Sequence, residues 1–391
     1  MSKPYNEAAL GTIADFSYGY TATAQDTGDT RFIRITDIDE NGSLKKNDAK
    51  FIDFTGELER YQVKKGDILV ARTGGTFGKT LLYKDDCPAV YASFLIKIIL
   101  NNGDLLPDFY FHFSQSNRYW FQANNLVTGG GQPQFNANVL KEIVVPLPTL
   151  PEQKAIAALL STWDEAIEKT ERLIQAKEAN LKGQIQKLIS QRCDSWPHTK
   201  PKKIFDTITE KNFPDEELLS VTQDRGVIPR SMLEGRVMSP DGTTASYKLI
   251  KRGDFAISLR SFQGGIEYSN YQGIISPAYT VLRPKIELSS DFYRLFFKSY
   301  IFIEKYLNLA VIGIRDGKQI SIPDFLSIKI PVPPLEQQKE IAETLSVCQH
   351  EIDLLKQLAE KYKTQKRGLM QKMLTGEWRI KPEIVNQYRE A

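Results

Sequence analysis

The chain repeats itself, and the spacing of the repeat limits what it can fold into. The stretch Pro146-Leu-Pro-Thr-Leu-Pro-Glu-Gln-Lys-Ala-Ile156 returns as Pro331-Val-Pro-Pro-Leu-Glu-Gln-Gln-Lys-Glu-Ile341, a shift of 331 − 146 = 185 residues. The shift holds without a gap through the run that follows, where Leu160 falls on Leu345, Ile167 on Ile352, Leu173 on Leu358 and Gly183 on Gly368. Solenoid units span roughly 20–50 residues, so a period this long belongs to two copies of one larger plan. Each copy supplies a globular unit and a long helix. Upstream of the prolines the register loosens. Lys65-Gly66-Asp67-Ile68 matches Arg252-Gly253-Asp254-Phe255 at 252 − 65 = 187, and Asp108-Phe109-Tyr110 matches Asp291-Phe292-Tyr293 at 291 − 108 = 183. Loops absorb insertions that a packed helical seam does not. The pattern therefore describes a fixed scaffold carrying two units that have diverged in what they recognise.

The helical runs read as a coiled-coil seam. Ile156, Leu160, Trp163, Ile167, Thr170, Ile174, Lys177, Leu181 and Ile185 alternate steps of four and three. Ile341, Leu345, Cys348, Ile352, Leu355, Ala359, Tyr362, Lys366 and Leu369 repeat those steps in the second copy. A mean period of about 3.5 residues gives a narrow left-handed seam. A single helix over 151–191 would be roughly 60 Å long, and its polar outer face leaves it dependent on a partner. The other copy is the nearest one, and two copies related by a pseudo-twofold pack antiparallel. A coiled coil with a foreign helix is the alternative.

The globular units read as α+β. Short β-rich runs, such as Phe32-Ile-Arg-Ile-Thr36, Asp67-Ile-Leu-Val-Ala71 and Leu95-Ile-Lys-Ile-Ile99, are broken by Gly, Asn and Asp turns. A helical, aromatic stretch at 107–124 follows, then the loop Thr128-Gly-Gly-Gly-Gln-Pro-Gln-Phe-Asn136 and a strand at 142–146. The second unit keeps this order, with strands over 218–282, a helix near 291–307, the loop Gly313-Ile-Arg-Asp-Gly-Lys-Gln319 and a strand at 327–332. The expected division is 1–150 and 196–333 as globular units, 151–195 and 334–378 as long helices, and 379–391 as a tail.

Composition narrows the function without naming it. Three scattered cysteines and three histidines form neither a disulfide framework nor a zinc spacing. No apolar run is long enough to span a membrane, and the opening MSKPYNEAALG lacks the apolar core of a signal peptide, so a cytoplasmic protein is expected. Net charge is +3 overall. Residues 1–150 carry 15 Lys+Arg against 17 Asp+Glu, and 197–333 carry 19 against 15. Neither unit is strongly basic, so phosphate affinity has to be local or shared with partners.

One enzyme signature is a near miss. Thr73-Gly-Gly-Thr-Phe-Gly-Lys-Thr80 ends like a phosphate-binding loop, but Thr73 stands where that motif needs its first glycine. The second copy, Leu259-Arg-Ser-Phe-Gln-Gly-Gly265, has no Gly-Lys-Thr at all. No Asn-Pro-Pro-aromatic tetrapeptide, GxGxxG, metalloprotease His pair or nucleophile elbow is present. A binding or assembly component, not an enzyme, is the expectation.

With Ile33-Arg-Ile-Thr-Asp-Ile-Asp-Glu-Asn-Gly42, Gly66-Asp-Ile-Leu-Val-Ala-Arg-Thr-Gly74, the Gly-Gly-Gly-Gln loop and both proline–Gln-Lys–helix junctions, nearly the whole chain resembles the specificity subunits of type I restriction-modification enzymes. The second unit departs more, with Ser220-Val-Thr-Gln-Asp-Arg-Gly226 in place of the longer Ile-Thr-Asp-Ile run. The resemblance implies two target recognition domains, each reading half of a split site in double-stranded DNA. It implies an antiparallel coiled coil that sets the gap between half-sites and holds two DNA methyltransferase (modification) subunits, with motor-endonuclease (restriction) subunits joining them. S-adenosylmethionine, ATP and Mg would belong to those partners, with no cofactor on this chain.

Base edges are read by Arg, Lys, Gln and Asn, whereas phosphate contacts only position a protein. The candidate readers are Arg34, Arg72, Thr73, Lys79, Gln132, Gln134 and Asn136 in the first unit. In the second they are Arg225, Arg260, Gln263, Arg315, Lys318 and Gln319. Two rival readings differ in class: a repeat-built coiled-coil adaptor for protein or carbohydrate, and a nucleotide hydrolase using Thr73–Thr80.

Overall fold

The computed structural model of the chain describes residues 5–45, 47–101, 103–127, 134–233, 244–258, 265–312 and 319–389. It divides into two compact units, Met1–Glu171 with Gln357–Ala391, and Arg172–Lys356. Each unit thus holds one globular part and a portion of both long helices.

The first globular part is built on two four-stranded sheets. One runs in the order Ala14–Tyr18, Leu95–Leu100, Ile68–Ala71, Thr80–Leu82; the other in the order Phe51–Ile52, Thr30–Ile33, Ala89–Tyr91, Gln62–Val63. The expected aromatic helix is two helices, Pro107–Ser114 and Asn117–Leu126. The break falls at Ser116, whose hydroxyl accepts from the Tyr119 N–H (3.2 Å) and so caps the second helix. A short helix unforeseen in the sequence, Ala137–Glu142, precedes the last strand, Val144–Leu147.

In the second globular part the first of these sheets recurs in the same order: Phe205–Ile208, Tyr279–Pro284, Phe255–Ser258, Ile266–Tyr268. The other sheet is reduced to two strand pairs, Leu219–Thr222 with Gly226–Pro229 and Lys248–Ile250 with Gly273–Ile275. Helix Ser290–Lys298 buries Phe292, Tyr293, Phe296 and Phe297 on one stripe, against Phe205 and Phe255. The expected helix over 291–307 stops at Lys298 and gives way to irregular helical turns. A short helix, Ile322–Ser327, again precedes the last strand, Ile330–Pro331.

The recurring Gly-Asp turn proves to be scaffold. Gly66 and Gly253 sit at φ of 92° and 93°, where a side chain is strained. In the first unit the Asp67 carboxylate accepts from the Lys64 N–H (2.8 Å) and pairs with Lys97 on the neighbouring strand. In the second, Asp254 accepts from the Lys251 N–H (2.9 Å) and pairs with Arg283 (2.9 Å). One glycine and one buried-edge ion pair fix the entry to the same central strand in both units.

The long helices run Leu150–Leu188 and Leu335–Leu374, 39 and 40 residues. Every residue of both seams assigned from the sequence is buried or half-buried. Pairing is antiparallel within each unit. In the first, Trp163 stacks edge-on against Tyr362 (5.7 Å), Lys363 meets Glu171 (2.9 Å) and Lys366 meets Asp164. In the second, Lys177 meets Glu351 and Lys356 meets Glu178, both at 2.7 Å. The first helix ends earlier than the expected 195, in the turn Ser190–Ser195; Cys193 there is buried. The tail is anchored, not loose: Arg379 lies over the Tyr5 ring (3.8 Å) and pairs with Glu152 (3.0 Å) in the first unit.

Candidate nucleic-acid interface

In the first unit three strands of one sheet end side by side, since Tyr18 pairs with Ile96 and Ala71 with Leu95. Arg72 follows at once, its N–H donating to the Phe94 carbonyl (3.0 Å). Its guanidinium lies over the rings of Tyr18 (5.1 Å) and Phe94 (5.6 Å). Those rings are 41% and 51% exposed, high for aromatics at a strand end. Ring faces attract a cation without using its N–H donors, so they orient the planar fork and leave it to bind. The Arg72 Nε is buried and has no partner among the described residues.

A second loop closes on this edge. Thr73 bridges Gln134, and the Phe135 N–H donates to the Arg72 carbonyl (2.9 Å). Phe135 is fully buried against Phe77 (6.0 Å) and Tyr119 (6.3 Å), which pins the loop. The Tyr18 hydroxyl accepts from the Ala137 N–H (3.1 Å). The fold therefore gathers Arg72, Thr73, Gln134 and Asn136, distant in sequence, into one patch. Within it Gln134 is exposed and Thr73 buried, while the Asn136 side-chain Oδ1 caps the following helix by accepting from the Asn138 and Val139 N–H groups. Gln132 lies outside the described residues. The aromatic flank of Arg72 had no sequence signal, because Tyr18 and Phe94 are far from the loops chosen.

Two of the chosen cations stand differently. Arg34 is clamped by Asp37 (2.7 Å) and Asp48 (3.3 Å), which occupy its fork. Lys79 is half-buried, and its carbonyl accepts from the Ala71 N–H (2.9 Å). The Thr73–Thr80 loop is thus the turn of a hairpin joining antiparallel strands Ile68–Ala71 and Thr80–Leu82. A phosphate-binding loop opens a helix, whose N-terminal N–H groups hold the anion, and here a strand follows instead.

In the second unit Arg225 is exposed at the tip of the hairpin Leu219–Thr222/Gly226–Pro229, its Nη1 donating to the Met232 carbonyl (3.1 Å). Gln319 is exposed opposite Ile312. Arg260, Gln263, Arg315 and Lys318 lie outside the described residues.

One constellation in the first unit has the outline of a catalytic relay. His112 Nε2 is 3.2 Å from Ser161 Oγ, and its Nδ1 is 3.7 Å from an Asp164 oxygen. At 3.7 Å that carboxylate is beyond hydrogen-bond range, and Lys366 already matches its charge. Burial, then the nearby Lys366 and Lys84, push the imidazole down to about 3. A neutral, enclosed histidine with an unmatched Nδ1 packs the helix pair; it has neither the basicity nor the access that a general base needs. Among the described residues no group of His, Cys, Asp and Glu could hold a metal ion, and no helix is long and apolar enough to cross a membrane.

The family model for the type I restriction modification DNA specificity domain matches residues 4–178 and 241–363. The type I restriction enzyme MjaVIII specificity subunit of Methanocaldococcus jannaschii is 27% identical over 365 residues, 85% of this chain and 83% of the relative. A crystal structure of the type I restriction-modification S subunit from M. genitalium superposes with a TM-score of 0.61 at 17% identity, covering 95% of this chain and 96% of the other. A chain from a structure concerned with complex assembly and conformational transition of the type I R-M system gives 0.56 at 16% identity, with 96% and 99% covered.

Proposed function

The chain belongs to the type I restriction-modification DNA specificity family, and on that premise we propose that each globular unit reads one half of a split DNA site while the helix pair carries the enzyme's other subunits. The Arg72 patch carries this reading. An arginine aimed by two exposed rings, beside an exposed glutamine, matches the way guanine and adenine edges are read in a major groove. The chain supplies address and scaffold. S-adenosylmethionine, ATP and Mg work in the modification and restriction subunits, in the cytoplasm. Gln132, Gln134, Arg225 and Gln319 are the further readers, with Arg260, Gln263, Arg315 and Lys318. Arg34, whose guanidinium is held by Asp37 and Asp48, and Lys79, on the neighbouring hairpin turn, complete the candidate readers of the first unit with Thr73 and Asn136.

Arg72→Ala in the assembled methyltransferase is expected to degrade one position of the first half-site. A good bidentate contact discriminates by about 1–3 kcal/mol, or roughly 5- to 150-fold. Methylome sequencing of cells carrying the variant reads this directly. An unchanged motif, or equal damage to both halves, would contradict the assignment.

The helices also offer equivalent docking points. Leu173 and its repeat partner Leu358 are 44% and 38% exposed, each an apolar side chain on a polar outer face. Two equivalent leucines fit two copies of one modification subunit. Leu173→Lys with Leu358→Lys is expected to lower co-purification of modification subunits at least tenfold while leaving the melting temperature within a few degrees. Full recovery of the complex would remove these residues from the docking surface.

A further inference from the structure

Glu267 stands where the repeat calls for an apolar residue. Register puts it opposite Ala256, as Leu81 stands opposite Leu69 in the first unit. Leu81 is buried and apolar; Glu267 is buried too, only 4% exposed, and carries a carboxylate. One oxygen is paired with Lys298, whose ammonium also donates to the Gln223 carbonyl (3.1 Å). The other, Oε2, is buried and unpartnered among the described residues. Burial raises the carboxyl to about 7 even with Lys298 beside it. A buried carboxylate oxygen without a donor costs about 1–3 kcal/mol, more when charged, so its retention in a strand that accommodates leucine elsewhere calls for an explanation.

The same carboxylate lines a cleft of about 160 Å³, walled by Thr222, Gln223, Ser258, Gly265 and Tyr279. Gln223 and Ser258 lie two residues before Arg225 and Arg260, readers chosen from the sequence alone. In the ionised form that Lys298 favours, the missing partner is a hydrogen-bond donor. Lys298 already supplies the cation that balances this carboxylate, so a neutral donor, N–H or O–H, is enough to complete it. Among groups that DNA presents in the major groove, the neutral donors are the exocyclic amino groups of cytosine and adenine.

We propose that Glu267 Oε2 accepts a hydrogen bond from the exocyclic amino group of one base in the half-site read by the second unit, making Glu267 a specificity-determining residue. This rests on the reading that the second unit binds DNA. Position in the cleft, the orphaned oxygen and the departure from Leu81 all bear on the same side chain. Substituting Gln keeps the shape and inverts the bonding. Its carbonyl oxygen must face the Lys298 ammonium, so its NH₂ points where Oε2 was, turning an acceptor into a donor. Donors are met by the keto oxygens of guanine and thymine.

The test uses the complete methyltransferase and duplexes in which each adenine or cytosine of the second half-site loses its amino group, as purine or 2-pyrimidinone analogues. One position is expected to weaken binding by about 10- to 100-fold, the worth of a charge-assisted hydrogen bond. The two analogue series tell adenine from cytosine. Glu267→Leu should erase that sensitivity, and methylomes of Glu267→Gln cells should show a keto base at the same position with the first half-site unchanged. No sensitive position, undiminished sensitivity in Glu267→Leu, or a Glu267→Gln motif identical to wild type overturns the proposal and leaves the oxygen to bound water. Loss of both half-sites together also overturns it, as the mark of a folding role. Exchanging 196–333 for a relative's unit is the separate control. If that leaves the motif intact, the DNA-reading assignment fails; if it changes one half while Glu267→Gln changes nothing, only Glu267 is wrong.

Discussion

Gln153→Ala is expected to destabilise the first unit by about 3 kcal/mol, lowering its melting temperature by roughly 6–12 °C. Gln153 is fully buried at the start of the first long helix. Its Oε1 accepts from the Leu106 N–H (2.9 Å), and its Nε2 donates to the carbonyls of Asp104 (2.8 Å) and Pro148 (3.0 Å). One amide thus ties the proline joint to the start of helix Pro107–Ser114. Truncation leaves buried backbone groups with no water to replace the amide, and that penalty exceeds the net worth of the bonds themselves. Gln338, its partner at the repeat shift, accepts from the Ser289 N–H (2.9 Å) and donates to the Pro333 carbonyl (2.8 Å) in the second unit. With two such bonds, Gln338→Ala should cost about 2 kcal/mol. Thermal scans of both variants check this. A loss under about 1 kcal/mol at Gln153 would mean the amide is replaceable and the repeated Gln-Lys is not a clamp.

Inserting four residues into each long helix, after Ala176 and after Leu354, is expected to lengthen the unread gap between half-sites by one or two base pairs. The ion pairs Lys177–Glu351 and Glu178–Lys356 put these two points opposite each other, so matched insertions keep the antiparallel partners level, with Lys177–Glu351 retained and Glu178 parted from Lys356. Four residues add roughly 6 Å of helix, and base pairs advance about 3.4 Å. Four residues also overshoot one turn by only about a tenth of a turn, so the seam survives. Two residues in each helix would rotate the apolar stripe by more than half a turn and should abolish assembly. Methylome sequencing gives the gap; gel filtration with the modification subunits gives the assembly. An unchanged gap in an active four-residue variant would show that the helices do not measure the site.

The scaffold was legible in the sequence because its signals are local and periodic. The steps of four and three from Ile156 to Ile185 and from Ile341 to Leu369 fall on buried or half-buried positions throughout. The strands near 67–71 and 95–99 are found as Ile68–Ala71 and Leu95–Leu100. Short helices Ala137–Glu142 and Ile322–Ser327 escaped, since six residues hold too little periodicity to register. Arg34 was chosen for its charge and its loop. Nothing in the linear text announces that Asp48, fourteen residues on, would take part of its fork.

Repetition and period by themselves determined two globular units, two long helices and the buried face of each, because a heptad pattern states its own seam; that the two seams meet each other antiparallel was decided by the structure. They also marked Gln153 and Gln338, without saying why those residues recur. Tertiary structure alone decided how the polar side chains are presented. Arg72 owes its position to Tyr18 and Phe94, and Glu267 its unmet oxygen to burial beside Lys298. Such sites are set by side chains brought together across strands, where small differences in direction decide whether a donor is spent or left free. No periodicity encodes that, because the contacts join positions far apart in the chain.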